Sequence, residues 1–188
     1  LQIVGTSDVL TILGQFDAAY TGVFGTVWFN RIENVVFTDG SYFTSDEIMD
    51  VLIDQSSTDG DDEIYGFARN DYLDGGLGND RLEGGLESDT YYFSLGYGQD
   101  VIYDNQYNIL ATNVDRVVFG AGITTDNITL TRLGYFGDDL VIGVDGHADT
   151  LEIEGQFTYD NLGGYYLEIE EFAFADSTIW TRQDLQDR

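Results

Sequence analysis

The sequence predicts an all-β fold, with a central coil of very short strands flanked by β-rich modules that carry one or two short helices. Three observations carry that expectation. Segments rich in Val, Ile, Thr, Tyr and Phe alternate with Gly, Asp and Asn, while helical periodicity is scarce. A nine-residue period of Gly, Asp and one apolar residue runs through the middle of the chain. A longer repeat joins the two ends.

Residues 1–54 read as a first β-rich module, with strands expected at Val9–Ile12, Val23–Phe29 and Val35–Phe37. Asp39-Gly40 reads as a hairpin turn, since Asp-Gly suits the positive φ that such turns need. Thr44-Ser45-Asp46-Glu47, followed by Ile48, Met49, Val51 and Leu52, has the form of a helix capping box. Residues 105–188 read as a second module, with strands at Asp115–Phe119, Asn127–Thr131, Leu140–Val144 and Leu151–Gln156. Asp145-Gly146 forms a turn within it, and Thr181–Gln186 a short helix at its end. The two modules resemble each other. Asp8–Phe16 (DVLTILGQF) matches Asp149–Phe157 (DTLEIEGQF), and Ile32–Ile48 matches Ile169–Leu185, with Phe43 falling on Trp180. The duplication predicts a fragment of a larger repeat array, and the three segments are expected to form one continuous structural unit.

Residues 55–104 lie between them. Ser57–Tyr65, Gly66–Asp74, Gly75–Glu83 and Gly84–Tyr92 are nine-residue units in unbroken succession, and Leu95–Tyr103 is a fifth, two residues out of step. Their sixth positions are Asp62, Asp71, Asp80, Asp89 and Asp100; their eighth are Ile64, Leu73, Leu82, Tyr91 and Ile102. Glycines at the start of a unit permit a tight turn and leave carbonyls unshielded. The aspartate brings a carboxylate to that turn, and the last residues form a short strand with one side chain inward. Two units make one coil, so units i and i+2 stack. Each stacked pair then offers two carboxylates and several carbonyls, a hard oxygen set suited to Ca²⁺ rather than to Zn²⁺ or the tighter octahedron of Mg²⁺.

Composition narrows the function. The chain of 188 residues carries 35 Asp and Glu against 7 basic residues, all arginine, for a net charge of −28. A nucleic-acid partner needs a basic face, and an anionic membrane surface would repel the chain. Membrane insertion is not expected, since no apolar run reaches the roughly 18 residues of a spanning helix. There is no cysteine, hence no disulfide or thiolate zinc site, and there is no proline or lysine. Twelve Phe, 13 Tyr and 2 Trp argue against a disordered acidic chain. Catalysis has little to rest on: His147 is the sole histidine, set in a turn, and no serine sits in a nucleophile elbow. No enzymatic activity is expected of this segment, whatever a larger parent carries. The aromatics Tyr20, Phe24, Trp28, Phe29, Tyr91, Tyr92, Tyr165 and Tyr166 could form a sugar platform, but core packing explains them more simply.

Gly75-Gly76-Leu77-Gly78-Asn79-Asp80-Arg81-Leu82-Glu83 resembles the GGxGxDxUx signature of RTX (haemolysin-type) calcium-binding repeats. Thr90–Asp104 resembles the way such arrays finish, and the flanks resemble the module often found beside them. The resemblance implies a parallel β-roll with Ca²⁺ between successive turns. It also implies a secreted, extracellular bacterial parent, such as a toxin, lipase, protease or adhesin, exported by type I secretion machinery. Carried over by position, it implies stacked pairs Asp62–Asp80, Asp71–Asp89 and Asp80–Asp100, and carbonyl ligands at Gly60, Gly75, Gly76, Gly78, Gly84, Gly85, Gly96 and Gly98. That set would hold about three ions. Ile64, Leu82 and Ile102 would stack in one sheet, Leu73 and Tyr91 in the other. Arg69 and Glu87 stand where the signature has a glycine at positive φ, which makes Asp71–Asp89 the weakest pair. The function this implies is calcium-driven folding after secretion; the alternative is an adhesin segment that binds cell-surface carbohydrate, with Ca²⁺ only structural.

Overall fold

Strands of three to six residues carry the fold, as the alternation of β-formers with turn residues predicts. The computed structural model describes residues 20–22, 25–27, 32–104, 113–135, 137–158 and 167–187, the first two stretches as backbone only. The strand expected at Val9–Ile12 and much of the one at Val23–Phe29 lie outside these residues. The chain divides into two units, Leu1–Ile48 and Met49–Arg188.

In the first unit, β1 (Tyr20–Gly22) pairs antiparallel with β2 (Gly25–Val27), and β3 (Asn34–Val36) with β4 (Tyr42–Thr44). Asp39-Gly40 makes the turn between β3 and β4. Asp39 Oδ1 accepts the Ser41 amide at 2.9 Å, and Gly40 takes φ +88°, which glycine reaches without strain. Helix α1 (Ser45–Ser56) starts at the predicted capping box: the Glu47 amide donates to Thr44 Oγ1 at 3.2 Å, and the Thr44 amide to Glu47 Oε2 at 2.7 Å.

In the second unit the nine-residue units wind as a parallel β-roll. Successive strands alternate between two sheets. One sheet holds β5 (Glu63–Tyr65), β7 (Arg81–Glu83), β9 (Gln99–Ile102) and β13 (Thr150–Ile153) in parallel. The other holds β6 (Tyr72–Asp74), β8 (Thr90–Phe93), β10 (Arg116–Phe119) and β14 (Glu171–Ala173). The inward residues stack in register as expected: Ile64 on Leu82 on Ile102 in the first sheet, Leu73 on Tyr91 in the second. Each column then runs on beyond the repeats, with Ile153 following Ile102 and Val117 and Phe172 following Tyr91. All eight are buried. At roughly 1.5–3 kcal/mol for each large apolar side chain, these columns supply the main driving force of the roll.

Antiparallel strands close its far end. β13 turns back into β12 (Asp139–Val144) and β11 (Ile128–Leu133), while β14 is followed by β15 (Ile179–Thr181) and helix α2 (Arg182–Gln186). Asp145-Gly146 makes the β12–β13 turn, with Gly146 at φ +78°. Gln156 shows why its Gly-Gln-Phe segment recurs together with a later isoleucine. Its buried side-chain amide donates to the Ile169 carbonyl and accepts the Ile169 amide, both at 2.9 Å. Phe119, Phe174 and Trp180 pack ring on ring above the end of the second sheet, with centroids 4.8 and 4.7 Å apart.

Neighbouring coils touch through backbone at one column of glycines, Gly60, Gly78 and Gly98. A Cβ on Gly98 would lie 2.1 Å from the Gly78 carbonyl oxygen, at φ +106°. Gly96, at φ +86°, has open space instead. Gly96→Ala therefore meets only the left-handed backbone penalty, about 1–2 kcal/mol. Gly98→Ala adds a steric clash, for a total of about 2–5 kcal/mol. Urea unfolding of the two variants checks this, and equal losses would show that close approach does not govern the stack.

Candidate metal centre

Each turn delivers its aspartate to the same place, because the strand that follows is locked to the strand one coil earlier. The Arg81 amide donates to the Asp62 carbonyl at 2.8 Å, Thr90 to Asp71 at 2.9 Å, and Val101 to Asp80 at 2.8 Å. The aspartate amides donate in turn to the carboxylates of the next coil. Asp62 N reaches Asp80 Oδ1 at 2.9 Å, Asp71 N reaches Asp89 Oδ1 at 2.8 Å, and Asp80 N reaches Asp100 Oδ1 at 3.0 Å. The three pairs expected from the sequence are thus stacked.

Two columns of acids result, and the second is longer than the repeats. It runs from Asp71 through Asp89 to Asp115, whose Oδ1 accepts the Asp89 amide at 2.7 Å, and on to Glu170, whose Oε2 accepts the Asp115 amide at 2.7 Å. At the end of the first column Asp149 accepts the amides of Gly96 and Gly98 at 2.9 and 3.2 Å. Asp104, Asp115, Asp149 and Glu170 were not among the sites read from the nine-residue period. Three of them carry a signal: Asp115-Arg116-Val117, Asp149-Thr150-Leu151 and Glu170-Glu171-Phe172 repeat the acid-x-apolar order of Asp80-Arg81-Leu82.

The second carboxylate oxygens sort the units. In the first two, the turn supplies donors to its own aspartate, although Asp71 Oδ1 is buried without a hydrogen bond and met only by the Arg69 charge. Asp62 Oδ2 accepts the Thr58 amide at 2.6 Å and its hydroxyl at 2.8 Å. Asp71 Oδ2 accepts the Phe67 amide, and Arg69 Nε lies 2.8 Å from Asp71 Oδ1. In the later units Asp80 Oδ2, Asp89 Oδ2 and Asp100 Oδ2 are buried with no hydrogen-bond partner. A buried carboxylate oxygen left bare is costly. The glycines leave room around it: a Cβ on Gly75 would stand 2.4 Å from Asp80 Oδ2, and one on Gly84 would stand 2.3 Å from Asp89 Oδ2.

The expected glycine carbonyls divide in the same way. Gly60 O and Gly78 O face the next glycine of their column, and Gly84 O faces Gly66. Gly75 O accepts the Ser57 hydroxyl at 3.1 Å. Gly76 and Gly85 approach the carbonyls of Thr58 and Phe67, and a Cβ on Gly96 would meet only open space. Gly98 meets Gly78 O. Glu87 does adopt positive φ, at +77°, but Arg69 does not; it leaves the left-handed region to pair with Asp71 and, at 2.5 Å, with Asp50. Tyr91 is removed from any sugar platform, since it is fully buried with its hydroxyl on Asp104 Oδ1. The side chains of Tyr20, Phe24, Trp28, Phe29, Tyr165 and Tyr166 lie outside the described residues.

Burial raises the acids. The Asp89 carboxyl is pushed up to about 8 and Asp100 to about 7, first by desolvation and then by neighbouring carboxylates, against the pull of one amide each. Asp71 and Asp80 rise for the same first reason. Asp104 rises most strongly, through burial and then through Asp115 beside it. Glu170 reaches about 7. Without a compensating cation the columns resist ionisation. Bare buried carboxylate oxygens, with no nitrogen or sulfur donors among them, fit a hard divalent cation of the Ca²⁺ class.

Known proteins agree with this geometry. Residues 56–91 match the RTX calcium-binding nonapeptide repeat (4 copies), and residues 139–184 match the haemolysin-type calcium binding protein related domain. The chain is 33% identical over 90 residues to the iron-regulated protein FrpA of Neisseria meningitidis serogroup C. That alignment takes in 48% of this chain and 7% of FrpA, so the chain spans a small part of its relative. The roll thus carries RTX calcium-binding nonapeptide repeats over residues 56–91, followed at residues 139–184 by a haemolysin-type calcium binding protein related domain.

Proposed function

We propose that this module is a folding switch of a secreted bacterial protein, unfolded where calcium is scarce and ordered where it is plentiful. The observation that carries the proposal is the set of bare, buried oxygens on Asp80, Asp89 and Asp100. Bound Ca²⁺ supplies the charge those oxygens lack, and its binding free energy becomes folding free energy. The residues do the rest. Glycines at the turns hold carbonyls open, the amide ladder aims one oxygen of each carboxylate at the adjacent coil, and the inward columns pack once the turns close. In the cation-free chain the carboxylates repel one another, and a net charge of −28 keeps the chain expanded. That state suits passage through a type I secretion channel. Extracellular calcium modules bind at about 10⁻⁴ to 10⁻³ M, a range that separates cytosol from the outside. The turns of Asp80, Asp89 and Asp100 hold the ions in this scheme. Those of Asp62 and Asp71, supplied with internal donors, begin the roll.

Far-UV circular dichroism tests the switch directly. The strand signal is expected to collapse on chelation with EDTA and to return with CaCl₂; an unchanged signal after chelation overturns the proposal. Substitution tests the sorting of turns. Asn at position 100 keeps the oxygen that receives the Asp80 amide and replaces the bare one. Asp100→Asn is therefore expected to raise the calcium midpoint of folding roughly tenfold or more. Asp62→Asn should move it little, because Thr58 already occupies Asp62.

Stability should depend on pH with opposite signs in the two states. In calcium-free protein the folded carboxyls of Asp89 and Asp100 lie above their unfolded values. Their contribution is present at about pH 4 and is lost as pH rises through about 7 to 8. Dialysed, calcium-free protein is thus expected to show more strand signal by circular dichroism at about pH 5 than at about pH 8.5. With CaCl₂ in excess the order reverses, because the ligands must be ionised. Parallel pH trends with and without calcium would show that these carboxylates do not bind the ion.

A further inference from the structure

The stack departs from its own rule at one position. Leu82 pairs with Ile102, so the coil that carries Gly84 two residues later is followed by one that carries Asp104. At Gly84 a Cβ would lie 2.3 Å from Asp89 Oδ2 and 2.3 Å from the Tyr91 hydroxyl, so the turn has no space for a side chain. One coil on, a carboxylate fills that place. It faces Asp115, which has taken the position of the repeat aspartate at the end of the column.

Oxygens of Asp89, Asp104 and Asp115 all lie within 4.8 Å of one another, and all three residues are buried. Ca²⁺ bonds oxygen at about 2.3–2.6 Å, so ligands around one ion are separated by up to about 5 Å, and this trio fits that sphere. Asp89 Oδ2 and Asp104 Oδ2 are shut off from solvent and have no hydrogen-bond partner. Their other oxygens are fixed: Asp89 Oδ1 by the Asp71 amide at 2.8 Å, and Asp104 Oδ1 by the Tyr91 hydroxyl at 3.2 Å. Tyr91 is itself held by the Gly84 amide, which donates to its oxygen at 2.9 Å. The surroundings thus leave two buried oxygens bare within a cluster of three carboxylates.

We infer that Asp89, Asp104 and Asp115 form a divalent-cation site of their own, of the Ca²⁺ class, where the chain leaves the nine-residue period. Here the carboxylate of Asp104 replaces the open glycine of the ordinary turn. The site rests on the calcium-binding reading above, and it adds a residue outside the repeat signature. Asp104 joins the end of the nonapeptide block to β10 through a shared ion, across the chain segment that separates them.

Two variants of the full chain test the site. Asp104→Asn keeps the shape and removes the charge, and Asp104→Gly restores the residue that the stack itself uses at Gly84. Equilibrium dialysis against CaCl₂ gives the number of ions bound. Both variants are expected to bind one ion fewer than the unsubstituted chain, with the remaining ions held at unchanged affinity. Thermal midpoints in saturating CaCl₂ should fall below that of the unsubstituted chain, while in calcium-free buffer at neutral pH the variants should keep more strand signal, since a carboxyl that must take up a proton to be buried has gone. An unchanged ion count overturns the inference and leaves the trio as carboxyls that share a proton. Failure of Asp104→Gly to fold in saturating CaCl₂ also overturns it, since the aspartate would then be needed for packing. If the unsubstituted chain binds no calcium, the proposed function falls as well, and the two failures are told apart by that control.

Discussion

Burial of carboxylates in stacked turns is the constraint on which the rest of this structure depends. A carboxylate removed from water must be paired, hydrogen-bonded or neutralised, and a single amide meets only part of that need. The roll places one such group in every coil, directly over another. Its strands are too short to hold without the turns: β5, β6 and β7 have three residues each and one inward side chain each. The apolar columns and the acid columns therefore form together or not at all. Glycine follows from the same constraint, since coils that approach backbone to backbone leave no room for a Cβ.

The protein treats the two ends of the roll differently. At the front, arginine and the hydroxyls of Ser57 and Thr58 take the place of a cation, so the first turns are closed by the chain's own donors. Further along, arginines brace the outside of the coils. Arg81 spans Glu83 and Glu154, linking a repeat strand to the module that follows, and Arg116 pairs with Glu171 within that module. The duplicated modules show how far surroundings decide burial. Ile169, Phe174 and Trp180 are buried at the end of the roll, at 0, 5 and 5% exposure. Their counterparts Ile32, Phe37 and Phe43 stand at 41, 44 and 40% in the first unit.

Much of this was legible in the sequence, because a period of nine fixes both geometry and chemistry. The register of Ile64, Leu82 and Ile102 follows from counting, as does the stacking of Asp62, Asp80 and Asp100. Thr44 and Glu47 declared the start of α1, and the two Asp-Gly pairs declared their turns. The missed acids share one cause. Asp115 lies 26 residues beyond Asp89, and Glu170 lies 55 beyond Asp115, so their chemical pattern survives while their spacing does not. Sequence spacing records how long a detour is, not where the chain returns. Arg69, a poor residue for positive φ by its sequence, indeed stays out of that region and pairs with Asp50 and Asp71.

The amide ladder also gives the stack a direction. Each rung onto a repeat aspartate runs from the main chain of an earlier coil to the carboxylate of a later one, from Asp62 to Asp80 and from Asp71 through to Glu170, while the rungs from Asn79 to Asp61 and from Ser88 to Asn70 run the other way. The two faces of the roll are therefore unlike, as the two ends of a magnet are. The leading face offers acids and the trailing face offers donors, which Asp149 and Glu170 already occupy. Rolls of this kind can follow one another head to tail, each meeting its neighbour with the opposite character. Set head to head, they would bring carboxylate against carboxylate. An array built by duplication keeps the permitted orientation automatically, since every copy is read in the same sense along the chain.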